Sequence, residues 1–151
     1  MIVIDTSVFI DYLIKFDDKK HEIAKNFFNE ISKKDFILYE PFLFEIELSG
    51  VLRRKYDESV VKEIIDEVNK KVNMIEEEEL HEVALSMSLK TGCRAIDSYF
   101  IATAKITDSI LITTDKVMAA NSKKSDITSY YLIDEIKEAI EYLKKEGVPI
   151  G

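Results

Sequence analysis

The sequence predicts an α/β protein: a three-layer α/β/α sandwich around a central, mainly parallel, twisted sheet. Three observations carry this. Short apolar runs rich in β-branched residues recur along the chain, at Ile2–Ile4, Val72–Ile75 and Ile110–Thr113. Between them lie longer segments whose apolar residues repeat at helical spacing. The first and fourth predicted strands run straight into an aspartate, Asp5 and Asp115, and each aspartate leads at once into a helix. Strands that alternate with helices pair in parallel, and parallel strands deliver their carboxyl ends to one edge, where ligands bind in open α/β sheets.

In order, Ile2 to Ile4 is read as the first strand and Thr6 to Leu13 as a short helix. A polar turn over 15–20 precedes a helix from His21 to Ile31, with Ile23, Phe27, Phe28 and Ile31 on its apolar face. Phe36 to Tyr39 is a short strand. Pro41 suits the first turn of a helix running to about Tyr56, striped by Phe44, Leu48, Val51 and Leu52. A second helix from Glu58, with Val60, Val61, Ile64, Ile65 and Val68, completes a helical hairpin over about 41–70. After the strand at Val72–Ile75, four acids from Glu76 to Glu79 open a helix favourably for its dipole, and Gly92 ends it. Ala95 to Ile106 is helical, Ile110 to Thr113 a strand, and Asp115 to about Asn121 a short helix. Ile127 to Leu132 reads as the last strand and Asp134 to Lys145 as the last helix. Without repeats or a linker, the 151 residues are expected to form one domain.

Composition narrows the function. Apolar residues are 46% of the chain, enough for a sizeable core. The net charge is -8 and the pI about 4.9, so the surface as a whole does not attract nucleic acid. A nucleic-acid substrate would need a local basic patch, or metal ions that invert the charge of an acidic pocket. Cys93 is the only cysteine, which excludes an intrachain disulfide and a multi-cysteine zinc site. Met1 leads directly into a strand with no basic leader, and no apolar run approaches the ~20 residues of a membrane helix; a reduced cytoplasm is the expected compartment.

Four acids stand out. Asp5 and Asp115 each follow a strand, where an aspartate serves as a helix cap or as part of a site. Asp97 shares its helical face with Phe100, Ile101 and Ala104, so its charge falls on a buried stripe and demands a partner or a metal. Glu45 and Glu47 lie about 160° apart around one helix, so only one of them can face a given point, and periodicity does not choose between them. Glu76 to Glu79, Asp17, Asp18, Glu138 and Glu141, and both His21 and His81, read as solvated surface. Tyr12, Tyr99 and Phe100 read as core, and Cys93 as a small buried hydrophobe.

Taken together, four segments in order resemble the PIN-domain family, in particular its small VapC-type toxin endoribonucleases. They are D-T-S-V-F-I-D from Asp5, P-F-L-F-E-I-E-L-S-G-V-L-R-R from Pro41, A-I-D-S-Y-F-I-A-T-A around Asp97, and I-L-I-T-T-D ending at Asp115. In the second, Pro41 plus six residues is Glu47, which selects Glu47 as the second acid, with Glu45 as the fallback. Ser7 stands where many members have asparagine.

The resemblance implies that Asp5, Glu47, Asp97 and Asp115 hold one or two Mg²⁺ or Mn²⁺ ions and catalyse hydrolysis of RNA phosphodiesters. It implies products with 5′-phosphate and 3′-hydroxyl ends. Carboxylates, waters and phosphate oxygens are the ligands such hard cations take. Ser7 and Thr113 are expected to orient the ligands, and Arg53, Arg54 and Lys116 to contact the RNA backbone or, equally, the two arginines to serve as ordinary helix-end cations and Lys116 as a solvated lysine. The expected partners are an antitoxin whose tail fills the acidic pocket and a second copy of the chain, docked through the Val60–Val68 stripe. Two readings compete. One is a catalytically inactive PIN-like RNA-binding or scaffold module, or a processing nuclease outside any toxin pair. The other is a different Mg²⁺-dependent α/β enzyme, of phosphatase or response-regulator type, in which no acid is expected at the position of Glu47.

Overall fold

The structure, a computed structural model, describes residues 1–150. Its central sheet has five parallel strands: β1 (Ile2–Ile4), β3 (Leu38–Pro41), β4 (Val72–Ile75), β5 (Ile110–Thr113) and β6 (Ser129–Tyr131), ordered β4-β3-β1-β5-β6. The helices are α1 (Thr6–Leu13), α2 (Asp18–Ile31), α3 (Leu43–Arg53), α4 (Glu58–Asn69), α5 (Glu77–Thr91), α6 (Ala95–Ile106), α7 (Lys116–Lys124) and α8 (Leu132–Lys145). They flank the sheet in the expected three-layer sandwich. β1 and β5 are buried at every residue, as strands covered on both faces must be. Phe27, Phe44, Leu48, Leu52, Phe100 and Ile101 fill the main core, all fully buried.

From β1 the chain moves outward to β3 and β4 on one side of the sheet, whereas from β5 it moves to β6 on the other. The order therefore reverses between β1 and β5, and that reversal opens a crevice at their carboxyl ends. Asp5 and Asp115 follow those two strands. On the other flank of β1 the pairing is cut short. β1 matches β5 at three positions but β3 only at Ile2↔Leu38. The Ile4 amide, which would otherwise bond β3 backbone, donates to Glu40 Oε1 at 2.9 Å. The Glu40 carboxyl thus replaces a backbone acceptor in the ladder next to Asp5.

Most predicted elements are present, with corrections at their ends. α2 starts at Asp18, because Asp17 caps it by accepting from the Lys20 amide at 2.9 Å. Pro41 is the last residue of β3, opposite Ile75, and α3 begins only at Leu43. The strand expected at 36–39 is shifted to Leu38–Pro41, the last strand is shortened to Ser129–Tyr131, and α8 begins at Leu132. The C-terminal tail, to which the sequence assigned no role, forms a second, antiparallel sheet. There β2 (Lys34–Asp35) pairs with β7 (Val148–Pro149). Tyr12 is 41% exposed, contrary to a core position, and Cys93 is half-buried. Val61 and Ile65 of the apolar α4 stripe are buried in the core, while Val60 is exposed. Among the described residues no helix is long and apolar enough to cross a membrane.

Candidate active site

Asp5, Glu47, Asp97 and Asp115 line one cavity of about 220 Å³, together with Ser7, Ile10, Val51, Arg94 and Ile96. The four acids come from separate segments: the end of β1, the middle of α3, the first turn of α6 and the residue before α7. Glu45, one step around α3, lies instead in a second recess with Arg53, Glu58 and Lys62. The helical geometry of α3 thus turns Glu47, and not Glu45, toward Asp5. Arg53, Arg54 and Lys116 do not line the four-acid cavity.

Asp5 is 6% exposed and is held by two hydroxyls. Ser7 Oγ donates to its Oδ2 at 2.7 Å and Thr113 Oγ1 donates to the same atom at 2.8 Å. Each hydroxyl is aimed by the backbone behind it. Ser7 Oγ accepts the Thr114 amide at 3.2 Å, and Thr113 Oγ1 accepts the Asp115 amide at 2.9 Å. A hydroxyl has one proton, so once its acceptor side faces an amide the proton is free for Asp5. Thr113, the last residue of β5, thereby fixes Asp5 from the neighbouring strand, and the Thr114 amide behind it aims Ser7. Burial nevertheless dominates and pushes the Asp5 carboxyl up to about 6, with Glu47 and Asp97 adding to the rise against the two hydroxyl bonds.

The capping expectation divides between the two strand-end aspartates. Asp115 caps α7, its Oδ1 accepting from the Val117 and Met118 amides at 2.8 and 3.2 Å. Asp5 occupies the corresponding position before α1 but makes no side-chain cap bond. Its Oδ2 is taken by the Ser7 and Thr113 hydroxyls instead.

Asp97 is 2% exposed, as its place on the apolar face predicts. Its compensation is a residue that periodicity did not single out. Arg94, immediately before α6, donates from Nε to Asp97 Oδ2 at 3.1 Å and from Nη2 to Oδ1 at 3.2 Å. The same Nη2 reaches Asp115 Oδ2 at 3.0 Å. Burial raises the Asp97 carboxyl, Arg94 pulls it down, and Asp115 raises it again. The available signal was local: an arginine three residues before an aspartate meets it across one helical turn.

Glu40 was also missed: the predicted strand ended at Tyr39, whereas β3 runs to Pro41 and carries Glu40 within it. It is fully buried, and its Oε2 has no hydrogen-bond partner among the described residues. Burial drives its carboxyl well above the usual range, and the nearby Asp5 adds to the rise.

Among the described residues, no three His, Cys, Asp or Glu side chains already converge as a metal-binding group. The donor set still fits a hard divalent cation, since the cavity carries four carboxylates against one arginine. Histidine and cysteine are absent from its lining.

The PIN domain family model matches residues 2–124. Among solved structures the chain is similar to FitAcB from Neisseria gonorrhoeae, at 16% identity over 87% of this chain and 98% of that one, with a TM-score of 0.64. It is also similar to PAE2754 from Pyrobaculum aerophilum (17% identity, 96% and 90% covered, TM-score 0.61). A third similar structure is a toxin-antitoxin complex from Klebsiella pneumoniae (16% identity, 76% and 87% covered, TM-score 0.58). No curated protein matches. With the family match over most of its length and an α/β/α sheet of this order, the chain belongs to the PIN domain family.

Proposed function

We propose that this protein is a Mg²⁺- or Mn²⁺-dependent endoribonuclease and the toxin of a type II toxin-antitoxin pair, acting in the cytoplasm as one domain. The main support is the meeting of Asp5, Glu47, Asp97 and Asp115 at one cavity on the sheet's switch point. PIN domains are generally nucleases, and one of the similar structures is a toxin-antitoxin complex.

In this reading the four acids hold the cation. When bound, it neutralises phosphodiester charge, acidifies a water and steadies the leaving oxygen. The remaining work falls to the chain. Ser7 and Thr113 keep Asp5 in one orientation, so its second oxygen, Oδ1, is the one offered to the cavity. Asp115 is held by the start of α7 and Asp97 by the apolar face of α6. Rigid carboxylates spare the site reorganisation as charge develops. Arg53, Arg54 and Lys116 lie outside the cavity and suit a longer RNA strand crossing its rim. The antitoxin and a homodimer complete the proposal. Burial of Val61 and Ile65 leaves the dimer less of the α4 stripe than the sequence promised.

The test is cleavage of single-stranded RNA by the purified protein. We expect cleavage with Mg²⁺ or Mn²⁺, none with EDTA, and background levels for Asp5→Asn. Wild-type protein that binds RNA without cutting it in either metal would instead establish the inactive RNA-binding module, a reading favoured by the Arg94 ion pairs across Asp97 and Asp115. Equal cleavage by Asp5→Asn would remove the site from the reaction.

A further inference from the structure

We propose that Arg94 is the site's internal counter-cation, competing with the divalent ion for Asp97 and Asp115. The inference rests on the metal reading of the four acids and adds a device that governs loading. The guanidinium takes Asp97 with both prongs of its fork and Asp115 with the shared Nη2. Bidentate, charge-assisted pairing of this kind is roughly twice as strong as a neutral hydrogen bond. It links the last two acids of the set across the cavity, so an ion that uses both must displace it.

Two further observations make the displacement workable. The acid partner Asp97 is 3% exposed in its side chain, whereas Arg94 is 67% exposed. The arginine can therefore swing toward solvent while the carboxylate stays in place. Arg94 also precedes the first turn of α6 in extended backbone, with no side-chain bond to the helix end. Turning it out disturbs no capping contact. Because guanidinium is charged at every working pH, Arg94 itself competes as a fixed charge and not by losing or gaining a proton.

The physical role is protection of the empty site. Four carboxylates lining one cavity repel one another, and Asp97, buried on an apolar face, needs a partner. Arg94 supplies one positive charge when the ion is absent and vacates when two arrive. The cost is affinity: only the fraction of molecules with Arg94 turned out is competent to bind.

The test compares Mn²⁺ binding by calorimetry to wild type, Arg94→Gln and Arg94→Lys, with melting curves in EDTA and in Mn²⁺. If Arg94 is out in about a tenth to a fifth of molecules, Arg94→Gln binds Mn²⁺ about 5–10-fold tighter. It melts lower than wild type in EDTA and gains more from Mn²⁺. Arg94→Lys, a point charge without the fork, falls between the two, and carries the comparison if Arg94→Gln does not fold. Wild-type binding with unchanged or weaker binding by the variants overturns this inference and leaves the metal site standing. Absence of Mn²⁺ binding in wild type and both variants overturns the metal reading and this inference with it.

Discussion

Glu40 shows what a single residue does to the site's surroundings. A carboxyl with no exposed surface and one unpaired oxygen cannot readily ionise, so it is held in its protonated form. In the unfolded chain it ionises around its ordinary value of 4.5. The folded state therefore binds the proton more tightly than the unfolded one. Stability from this group is fully present below pH 4.5 and is lost as pH rises toward the folded value. Glu40→Gln copies the protonated form, keeps an oxygen for the Ile4 amide and cannot ionise in either state. We expect it to match wild type at pH 4.5 and to exceed it at pH 8. A gain of roughly 1 kcal/mol would raise the melting temperature about 2–4 °C. Melting curves in EDTA at the two pH values check this; a difference independent of pH would show that Glu40 is not the titrating group. Glu40→Leu, which strands the Ile4 amide, should destabilise at both, by about 1–3 kcal/mol.

At the scale of elements, α7 and β5 carry two duties in one residue. Asp115 caps α7 and also faces the cavity. Asparagine caps a helix about as well as aspartate, whereas alanine does not. Asp115→Asn and Asp115→Ala both lose the charge that meets Arg94, so their difference isolates the cap. We expect Asp115→Ala to be less stable than Asp115→Asn by about 1 kcal/mol in urea unfolding. Both are expected to lose RNA cleavage. If the two were equally stable, the bonds from Val117 and Met118 would not be holding the helix start.

For the whole molecule, the feature of most consequence is how the chain's end returns to its first half. β7 pairs with β2, and Lys34 Nζ donates to the carbonyls of Lys144, in the last turn of α8, and Glu146, just past it. Ile150 reaches an apolar cavity also lined by Tyr12, Phe28, Leu38 and Val72. Gly147 makes the turn possible. Its φ is +79°, and a Cβ there would lie 2.6 Å from the Phe36 ring. Gly147→Ala should release the tail without unfolding the sheet, visible as faster proteolysis after Lys145 and a loss of about 1 kcal/mol. Unchanged proteolysis would mean that the strap is not held by this turn.

The sequence by itself determined the class of the fold and most of its elements. Alternating β-branched runs and amphipathic helices admit little else, and α1, α6 and β5 lie where periodicity and the flanking aspartates put them. It also made Asp97 conspicuous, since a charge on a buried stripe contradicts the pattern around it. Tertiary structure decided the rest. Glu45 and Glu47 are equivalent until α3 is docked, because orientation about a helix axis is set by what the helix packs against. Asp5 and Asp115 share one local pattern, yet only Asp115 caps, because Thr113 reaches Asp5 from the neighbouring strand and joins the local Ser7 hydroxyl on the same oxygen. Glu40 and the Lys34–Ile150 strap depend on partners 36 and over 100 residues away, and Arg94's second partner is 21 residues distant. Local periodicity records which face a residue shows, but the identity of the group it meets is fixed only when distant segments pack together.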